Sequence, residues 1–306
     1  MHKNLSAGPA SGPDPSDGSG RISDLAVTVL VDNRTESADL MAEHGLSLLV
    51  EFKEDGVRRQ VLLDTGQTGR VLGHNLTWME KHLRDLAAVV LSHGHYDHVG
   101  GLPMLLGRLK RPVPVLVHPE LWGIRMADGP ALRSIGAGFD PIGLAAAGAR
   151  VIAASGPVPL FHGVLTTGSI QRREPLECSR NFSRLVDDKI IDDQIADDMA
   201  LVIDLKSEGL VVLTGCCHAG VINTIRHVRD MTGNHRIKAL IGGLHLAGAG
   251  PDRMRSTLAC LAEASPEWVV PLHCSGREET LFLRRHLGPC VIEAGAGRRF
   301  DLSSRT

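Results

Sequence analysis

The sequence predicts an α/β protein in which two sheets pack face to face and helices cover the outside. Two observations lead to this prediction. In the first half of the chain, short apolar runs with a hairpin signal precede stretches of helical spacing, and the same order returns in the second half. The 306 residues, 43% of them hydrophobic, are also enough to bury a core of this size.

The individual elements follow from the hydrophobic pattern. Apolar runs predict strands at 25–31, 46–52, 61–63, 86–91, 113–117, 149–154, 199–205, 210–213, 239–241 and 268–272. Helical spacing predicts helices at 68–84, 99–109, 221–228, 254–261 and 278–287. Polar residues at 53–56 and 206–209 predict hairpin turns between neighbouring strands.

Two segments, 123–148 and 171–198, show the least regular pattern and are expected to be loops over a functional site. Aspartates occur in pairs at 187–188, 192–193 and 197–198 of the second segment. A solvated acidic loop is the favoured interpretation, and recruitment of a metal or recognition of a substrate is the alternative.

Composition limits the classes of function. The net charge of −2 and the aromatic content of 3% argue against nucleic-acid binding, and no apolar run is long enough to span a membrane. Residues 1–22 lack the apolar core of a signal peptide and predict a disordered tail before a domain at 23–304. We therefore expect a cytoplasmic protein that acts on a small molecule, without nucleic-acid or membrane partners, and consider a homodimer.

The segment most informative about chemistry is 92–99, Ser-His-Gly-His-Tyr-Asp-His-Val, directly after the predicted strand 86–91. Neutral imidazole and carboxylate groups are common ligands of zinc, iron and manganese. In an extended loop His93 and His95 would share one side and hold one ion. Asp97 and His98, where a helix should begin, would face a second ion. The pattern predicts a metalloenzyme rather than a histidine-rich surface loop.

This motif, with Leu-Leu-Asp-Thr-Gly at 62–66 upstream, resembles the metallo-β-lactamase superfamily. Further motifs occur in an order that resembles one branch, the dihydropteroate-synthase-like enzymes of methanopterin biosynthesis. They are Val-Asp-Asn at 31–33, Gly-Leu-Ser at 45–47, Thr-Gly-Ser-Ile at 167–170, Thr-Gly-Cys-Cys-His-Ala-Gly at 214–220, Gly-Gly-Leu-His-Leu at 242–246 and Pro-Leu-His-Cys at 271–274. The resemblance covers residues 24–300 and implies a four-layer αββα sandwich, with two mixed sheets, helices outside, and metals at one edge between the sheets.

Further site residues are expected just after strands. His273 matches the last histidine ligand of the superfamily, on the second metal, and His218 is the histidine that the branch carries downstream. Cys216 stands where many members have a bridging aspartate, so it is either a bridging thiolate or a packed thiol beneath the site. His245 would ligate, donate a proton, bind substrate or serve only as a core or capping residue. Asp64 is expected to accept the spare N–H of a ligating imidazole.

Zinc is the expected cofactor, as one or two ions, with Mn²⁺, Fe²⁺ and Mg²⁺ as alternatives. A divalent ion lowers the pKa of bound water to about 7 and polarises a carbonyl or phosphoryl oxygen. Hydrolysis of an ester, lactone, thioester or phosphodiester is therefore one expectation, with Asp97 and His245 as candidate catalytic residues. The resemblance implies instead that an arylamine displaces diphosphate from a pterin methylene, where Arg172 could clamp a phosphate. A diiron protein that reduces oxygen or nitric oxide and a non-catalytic binding module remain alternatives.

Overall fold

The computed structural model describes residues 22–129, 131–177 and 181–303. The predicted disordered tail lies outside the described residues, apart from Ile22, which begins the first strand. The described helices, in chain order, are α1 (Gly69–Trp78), α2 (Tyr96–Val99), α3 (Leu102–Leu109), α4 (Pro141–Ala146), α5 (Val221–Thr232), α6 (Pro251–Ala264) and α7 (Arg277–Leu287).

The strands of the described residues number as follows in chain order: β1 (Ile22–Val31), β2 (Ser47–Glu54), β3 (Val57–Leu63), β4 (Leu86–Val90), β5 (Val113–Val117), β6 (Arg125–Ala127), β7 (Arg133–Ser134), β8 (Ala149–Ala153), β9 (Val158–Phe161), β10 (Val164–Thr166), β11 (Phe182–Val186), β12 (Lys189–Asp192), β13 (Leu201–Asp204), β14 (Leu210–Thr214), β15 (Ile237–Gly243), β16 (Trp268–Leu272) and β17 (Arg299–Asp301).

Two large mixed sheets form the centre of the protein, as predicted. The first has the order β17-β1-β2-β3-β4-β5-β8, and the second has the order β16-β15-β14-β13-β10-β9. Each combines antiparallel hairpins with a parallel part, which is β3-β4-β5-β8 in the first sheet and β14-β15-β16 in the second. Both predicted hairpins are present, β2 with β3 and β13 with β14.

The apolar core confirms the four-layer order of helix, sheet, sheet and helix. One buried cluster joins side chains of the two sheets, for example Val50 and Leu63 of the first with Leu213 and Ile241 of the second. A second cluster joins the outer face of the first sheet to α1 and α3, and a third joins the outer face of the second sheet to α5, α6 and α7. Helices therefore cover both outer faces, and the sheets face each other inside.

The two segments expected to be irregular loops contain a small third sheet, with the order β12-β11-β6-β7. Its strands are only two to five residues long, so the hydrophobic period is too short to be seen in the sequence. The interpretation of the paired aspartates as a solvated loop is wrong for Asp193, Asp197 and Asp198, which are buried. Asp193 and Asp197 pair with the buried guanidinium of Arg125, at 3.3 and 2.8 Å.

Two helix predictions need correction at their ends. The helix expected at 68–84 stops at Trp78, because Glu80 takes a left-handed conformation and the N–H of Lys81 bonds back to the carbonyl of Leu76. The helix expected at 99–109 is divided into α2 and α3 around Gly100 and Gly101. A Cβ at either glycine would lie 2.1 Å from a backbone oxygen of the loop after β3, so only glycine fits there. No described helix has the length and apolar character that crossing a bilayer requires.

Candidate metal centre

The chemically important side chains gather at the carboxyl ends of strands from both sheets. The segment after β4 supplies His93 and His95 from its loop and Asp97 and His98 from α2, and the loops after β14, β15 and β16 supply Cys216, His218, His245 and His273. Parallel neighbours end at the same edge of a sheet, so these loops meet although they are far apart in the sequence. The structure thereby brings together the residues that the sequence predicted as ligands.

Three of these histidines form what we call the inner subsite: His93, His95 and His218. Nε2 of His93 lies 3.0 Å from Nδ1 of His95 and 3.2 Å from Nε2 of His218. All three side chains are buried. Burial lowers the pKa of His95 to about 3 and lowers the pKa of His93 and of His218 well below the usual value. Neutral imidazole is the form that binds a metal.

The outer subsite, as we name it, consists of Asp97, His98 and His273. Oδ2 of Asp97 lies 3.3 Å from Nε2 of His273 and 3.8 Å from Nε2 of His98. Burial alone would raise the pKa of the Asp97 carboxyl, but the neighbouring imidazoles outweigh it and hold that pKa below its ordinary range. The carboxylate is therefore ionised, as a ligand must be.

Cys216 lies between the two subsites. Its Sγ is 3.1 Å from Nε2 of His98, and it forms compact groups of potential ligand atoms with His93 and His98, with His273 and Cys274, and with His218 and His245. This is the position expected of a bridging ligand. Burial raises the pKa of the Cys216 thiol well above its usual value in the metal-free protein. Its role as a ligand stays a prediction.

Asp64 orients a histidine of each subsite through hydrogen bonds, directly for His98 and through Ser92 for His93. Its carboxylate accepts hydrogen bonds from the backbone N–H and the hydroxyl of Ser92 and from Nδ1 of His98, each at 2.7 Å. The Ser92 hydroxyl in turn lies 2.9 Å from Nδ1 of His93 and accepts its proton. Protons on Nδ1 leave the Nε2 lone pair of His93, and that of His98 once His98 is neutral, directed into the site. The contact with His98 is the one predicted for Asp64, whereas the role of Ser92 was not predicted.

Asn33 and His44 belong to the site, but the sequence analysis assigned neither of them a role there, although Asn33 is part of the Val-Asp-Asn motif at 31–33. Oδ1 of Asn33 accepts from Nδ1 of His273 at 2.8 Å and from the backbone N–H of Gly45 at 3.3 Å. The amide oxygen of Asn33 thus keeps the His273 proton on Nδ1 and its Nε2 lone pair toward Asp97. Nε2 of His44 lies 3.1 Å from Oδ2 of Asp97, and its half-exposed ring packs against that of His273.

Arg172 does not occupy the phosphate-clamping position that the sequence suggested. Its two terminal nitrogens donate to the backbone carbonyls of His218, at 3.1 Å, and of Ile195, at 2.7 Å. The guanidinium therefore fixes the loop that carries His218 onto the segment before β13. This correction reflects a limit of sequence reasoning, because an arginine bound to backbone oxygens has the same sequence signal as one that binds a substrate.

His245 borders the open side of the site. Its ring centroid lies 4.4 Å from that of His218 and 6.1 Å from that of Phe182, which also packs over His95 and His218. A cavity of about 460 Å³, which we call the outer cavity, is lined by Asn33, Arg34, His44, His245, His273 and Arg277, among others. A larger cavity of about 940 Å³ is lined by none of the predicted ligands, so the outer cavity is the better candidate for binding a substrate.

The hydrogen-bond pattern fits a bound cation. Nε2 of His273 carries a lone pair, because its proton is on Nδ1, yet it faces a carboxylate oxygen at 3.3 Å. That nitrogen is buried and has no hydrogen-bond partner among the described residues. Lone pairs that face one another in a buried site repel unless a cation or proton lies between them. Imidazole, carboxylate and thiolate donors suit zinc and related ions.

The comparisons with known proteins agree with this geometry. A family model described as a β-lactamase superfamily domain matches residues 59–173, which include the loop 92–99. A solved structure described as a metal-dependent hydrolase of the β-lactamase superfamily is 26% identical, with a TM-score of 0.78, and the match covers 92% of this chain and all of that one. The chain resembles the metallo-β-lactamase superfamily in both sequence and fold. This resemblance indicates an enzyme that binds metal.

Two other proteins define the relationship further. The 7,8-dihydropterin-6-methyl-4-(β-D-ribofuranosyl)-aminobenzene-5′-phosphate synthase of Methanocaldococcus jannaschii is 24% identical over 272 residues, which cover 86% of this chain and 92% of the synthase. The chain therefore resembles the methanopterin-biosynthesis branch of the metallo-β-lactamase superfamily, as the sequence motifs predicted. Zinc-bound PqqB from Methylobacterium extorquens shares the fold, with a TM-score of 0.53, 15% identity and coverage of 90% of this chain and all of PqqB.

Proposed function

We propose that this protein is a metal-dependent transferase that joins a pterin to an arylamine phosphate, as the name of the M. jannaschii synthase describes for that enzyme. The observation that carries the proposal is the convergence of six ligand-type side chains in two adjoining subsites beside an open cavity. The similarity to the synthase over nearly the whole of both chains then gives the substrate class.

The donor set supports zinc as the cofactor, as one or two ions. His93, His95 and His218 would hold one ion, and Asp97, His98 and His273 the other, with Cys216 between them. A divalent ion bound there supplies Lewis acidity toward the oxygens of a phosphoryl or carbonyl group. Mn²⁺ and Fe²⁺ suit the imidazole and carboxylate donors as well, whereas the sulfur donor is least suited to Mg²⁺.

The proposed reaction needs one bond to break and one to form. The bond between the pterin methylene and the diphosphate oxygen breaks, and the electron pair leaves with the diphosphate. The arylamine nitrogen forms a bond to the methylene carbon and loses a proton. His245 is the candidate to take that proton, since it lines the outer cavity.

Hydrolysis of an ester, lactone, thioester or phosphodiester is the second candidate function. The solved structure with 26% identity is described as a metal-dependent hydrolase, and the same two subsites suit attack by water. In this alternative water replaces the arylamine as the nucleophile. The ligand residues keep their positions, so only the products distinguish the two functions.

The test is mass spectrometry of the products after incubation of zinc-loaded protein with hydroxymethyl-dihydropterin diphosphate and a ribosyl-aminobenzene phosphate. A coupled product that His93→Ala abolishes, while His162→Ala retains it, would support the transferase. His162 is exposed and lies outside the site, so it provides a matched control. Free hydroxymethyl pterin that depends on His93 would support the hydrolase, and unchanged substrates would contradict the pterin proposal.

A further inference from the structure

The outer cavity has a strongly basic lining next to the outer subsite. Arg34 and Arg277 line it together with His44 and His273, and Asp32 is the one acidic residue of its lining. Asp32 is buried, and its carboxylate accepts from the backbone N–H groups of His273, at 2.7 Å, and of Arg34, at 3.3 Å. The accessible charge of this cavity is therefore positive.

The two arginines differ in what restrains them. Nε of Arg34 donates to the carbonyl of Ala294 at 2.8 Å, and its Nη1 lies 3.7 Å from the carboxylate of Glu293. Arg277 is exposed, and no ion pair or hydrogen bond of its side chain is found among the residues described by the structure. Arg277 thus has its full set of donors available to a ligand, while Arg34 offers a fixed positive charge across the same cavity.

We propose that the outer cavity is a phosphate subsite in which Arg277 and Arg34 bind phosphoryl oxygens of a substrate. Arginine presents a planar pair of donors that matches two oxygens of one phosphoryl group. His273 is shared by the cavity and the outer subsite, so a phosphate bound here lies directly beside the predicted metal ligands. The inference rests on the proposed function, whose two substrates both carry phosphate, and it assigns the residues that select them.

The test measures binding of inorganic pyrophosphate and of inorganic phosphate to the zinc-loaded protein by isothermal titration calorimetry. Arg277→Gln should weaken binding of at least one of them by about tenfold or more, since a charge-assisted hydrogen bond is lost. Arg277→Lys should recover only part of the loss, because lysine lacks the planar pair of donors. Arg285→Gln is the matched control, since Arg285 lies on the same helix, is exposed, and does not line the cavity.

The ligand whose binding Arg277→Gln weakens indicates which phosphate group of the substrates occupies the subsite. A loss confined to pyrophosphate assigns the subsite to a diphosphate, and a loss confined to phosphate assigns it to a phosphate monoester. Equal binding by Arg277→Gln and the control would overturn the inference, even if the pterin product forms. Arg277-dependent binding without any pterin product would leave the phosphate subsite in place and contradict the proposed function instead.

Discussion

Asp64→Asn is the substitution from which the structure allows the most detailed prediction. Asp64 is fully buried and accepts three hydrogen bonds of 2.7 Å, from two groups of Ser92 and from His98. Asparagine tolerates the left-handed backbone at this position, so the change removes the charge with little backbone strain. Its amide NH₂ cannot accept, so at least one buried donor is left without a partner. Loss of one member of a buried ion pair costs about 3–5 kcal/mol of stability.

The stability that Asp64→Asn loses should depend on pH in the metal-free protein. Burial opposes a charge on His98, but the carboxylates of Asp64 and Asp97 outweigh it and raise the pKa of His98 to about 9. A histidine whose pKa is raised on folding stabilises the protein fully below its unfolded pKa of about 6.5, and this contribution is lost as the pH rises to about 9. The shift corresponds to about 3 kcal/mol. Asp97 remains in the variant, so the stability difference between wild type and Asp64→Asn should shrink between pH 6 and pH 9.5 by the part of that amount that depends on Asp64.

Urea denaturation of chelator-treated protein at the two pH values measures this difference. His93, His95 and His218 are neutral throughout this range in both proteins, since burial lowers their pKa values. Asp230→Asn serves as the control, because Asp230 forms only an exposed ion pair with Arg173. A stability difference of the same size at pH 6 and pH 9.5 would refute the assignment of Asp64 as the partner of a charged His98.

Three other substitutions test the surroundings of the site. Arg125→Met leaves two buried aspartates without their cation and should lower the free energy of unfolding by about 3–5 kcal/mol, and an unchanged urea midpoint would contradict this. Asn33→Ala should weaken the second zinc equivalent by about 10–100-fold, because His273 loses its Nδ1 acceptor, and equal weakening of both equivalents in a competition titration would be inconsistent with that role. Cys216→Ser should remove any thiolate-to-metal absorption from the cobalt-loaded protein, and a retained band would assign it to another cysteine.

The sequence predicted the site best where residues of a metal-ligand type directly follow a recognisable strand. The loop 92–99 follows a continuous apolar strand, so both its ligands and its place at a strand end were visible in one stretch of sequence. His218 and His273 were predicted because each also follows a strand. The four-layer fold was predicted because hairpins and helical spacing occur twice, and long elements preserve their period.

The missed residues have a weaker local signal. His44 and Asn33 lie in the loop between β1 and β2; His44 follows no predicted strand, and Asn33, two residues after the predicted strand 25–31, carries an amide rather than the imidazole or carboxylate group expected of a ligand. They reach the site only because β1 pairs beside β2 and because Asn33 meets His273, 240 positions away. Arg125, Asp193 and Asp197 likewise form a buried cluster across short strands, where charge alone predicts exposure. Contacts between residues this far apart in the sequence can be identified only once the tertiary fold is known.

Cys216 alters the chemical character of the centre more than its geometry. A thiol stands beside His98 Nε2, at the position between the two subsites where the resemblance leads one to expect an aspartate. Its proton is retained by burial when no cation is present, so binding of an ion there must release that proton. His98 of the outer subsite, whose pKa is raised to about 9, must also lose a proton before it can bind an ion. Occupation of the outer subsite should therefore depend more steeply on pH than occupation of the inner subsite, whose buried imidazoles are already neutral. The two subsites are built from different donors, and they differ for that reason in the conditions under which each can fill.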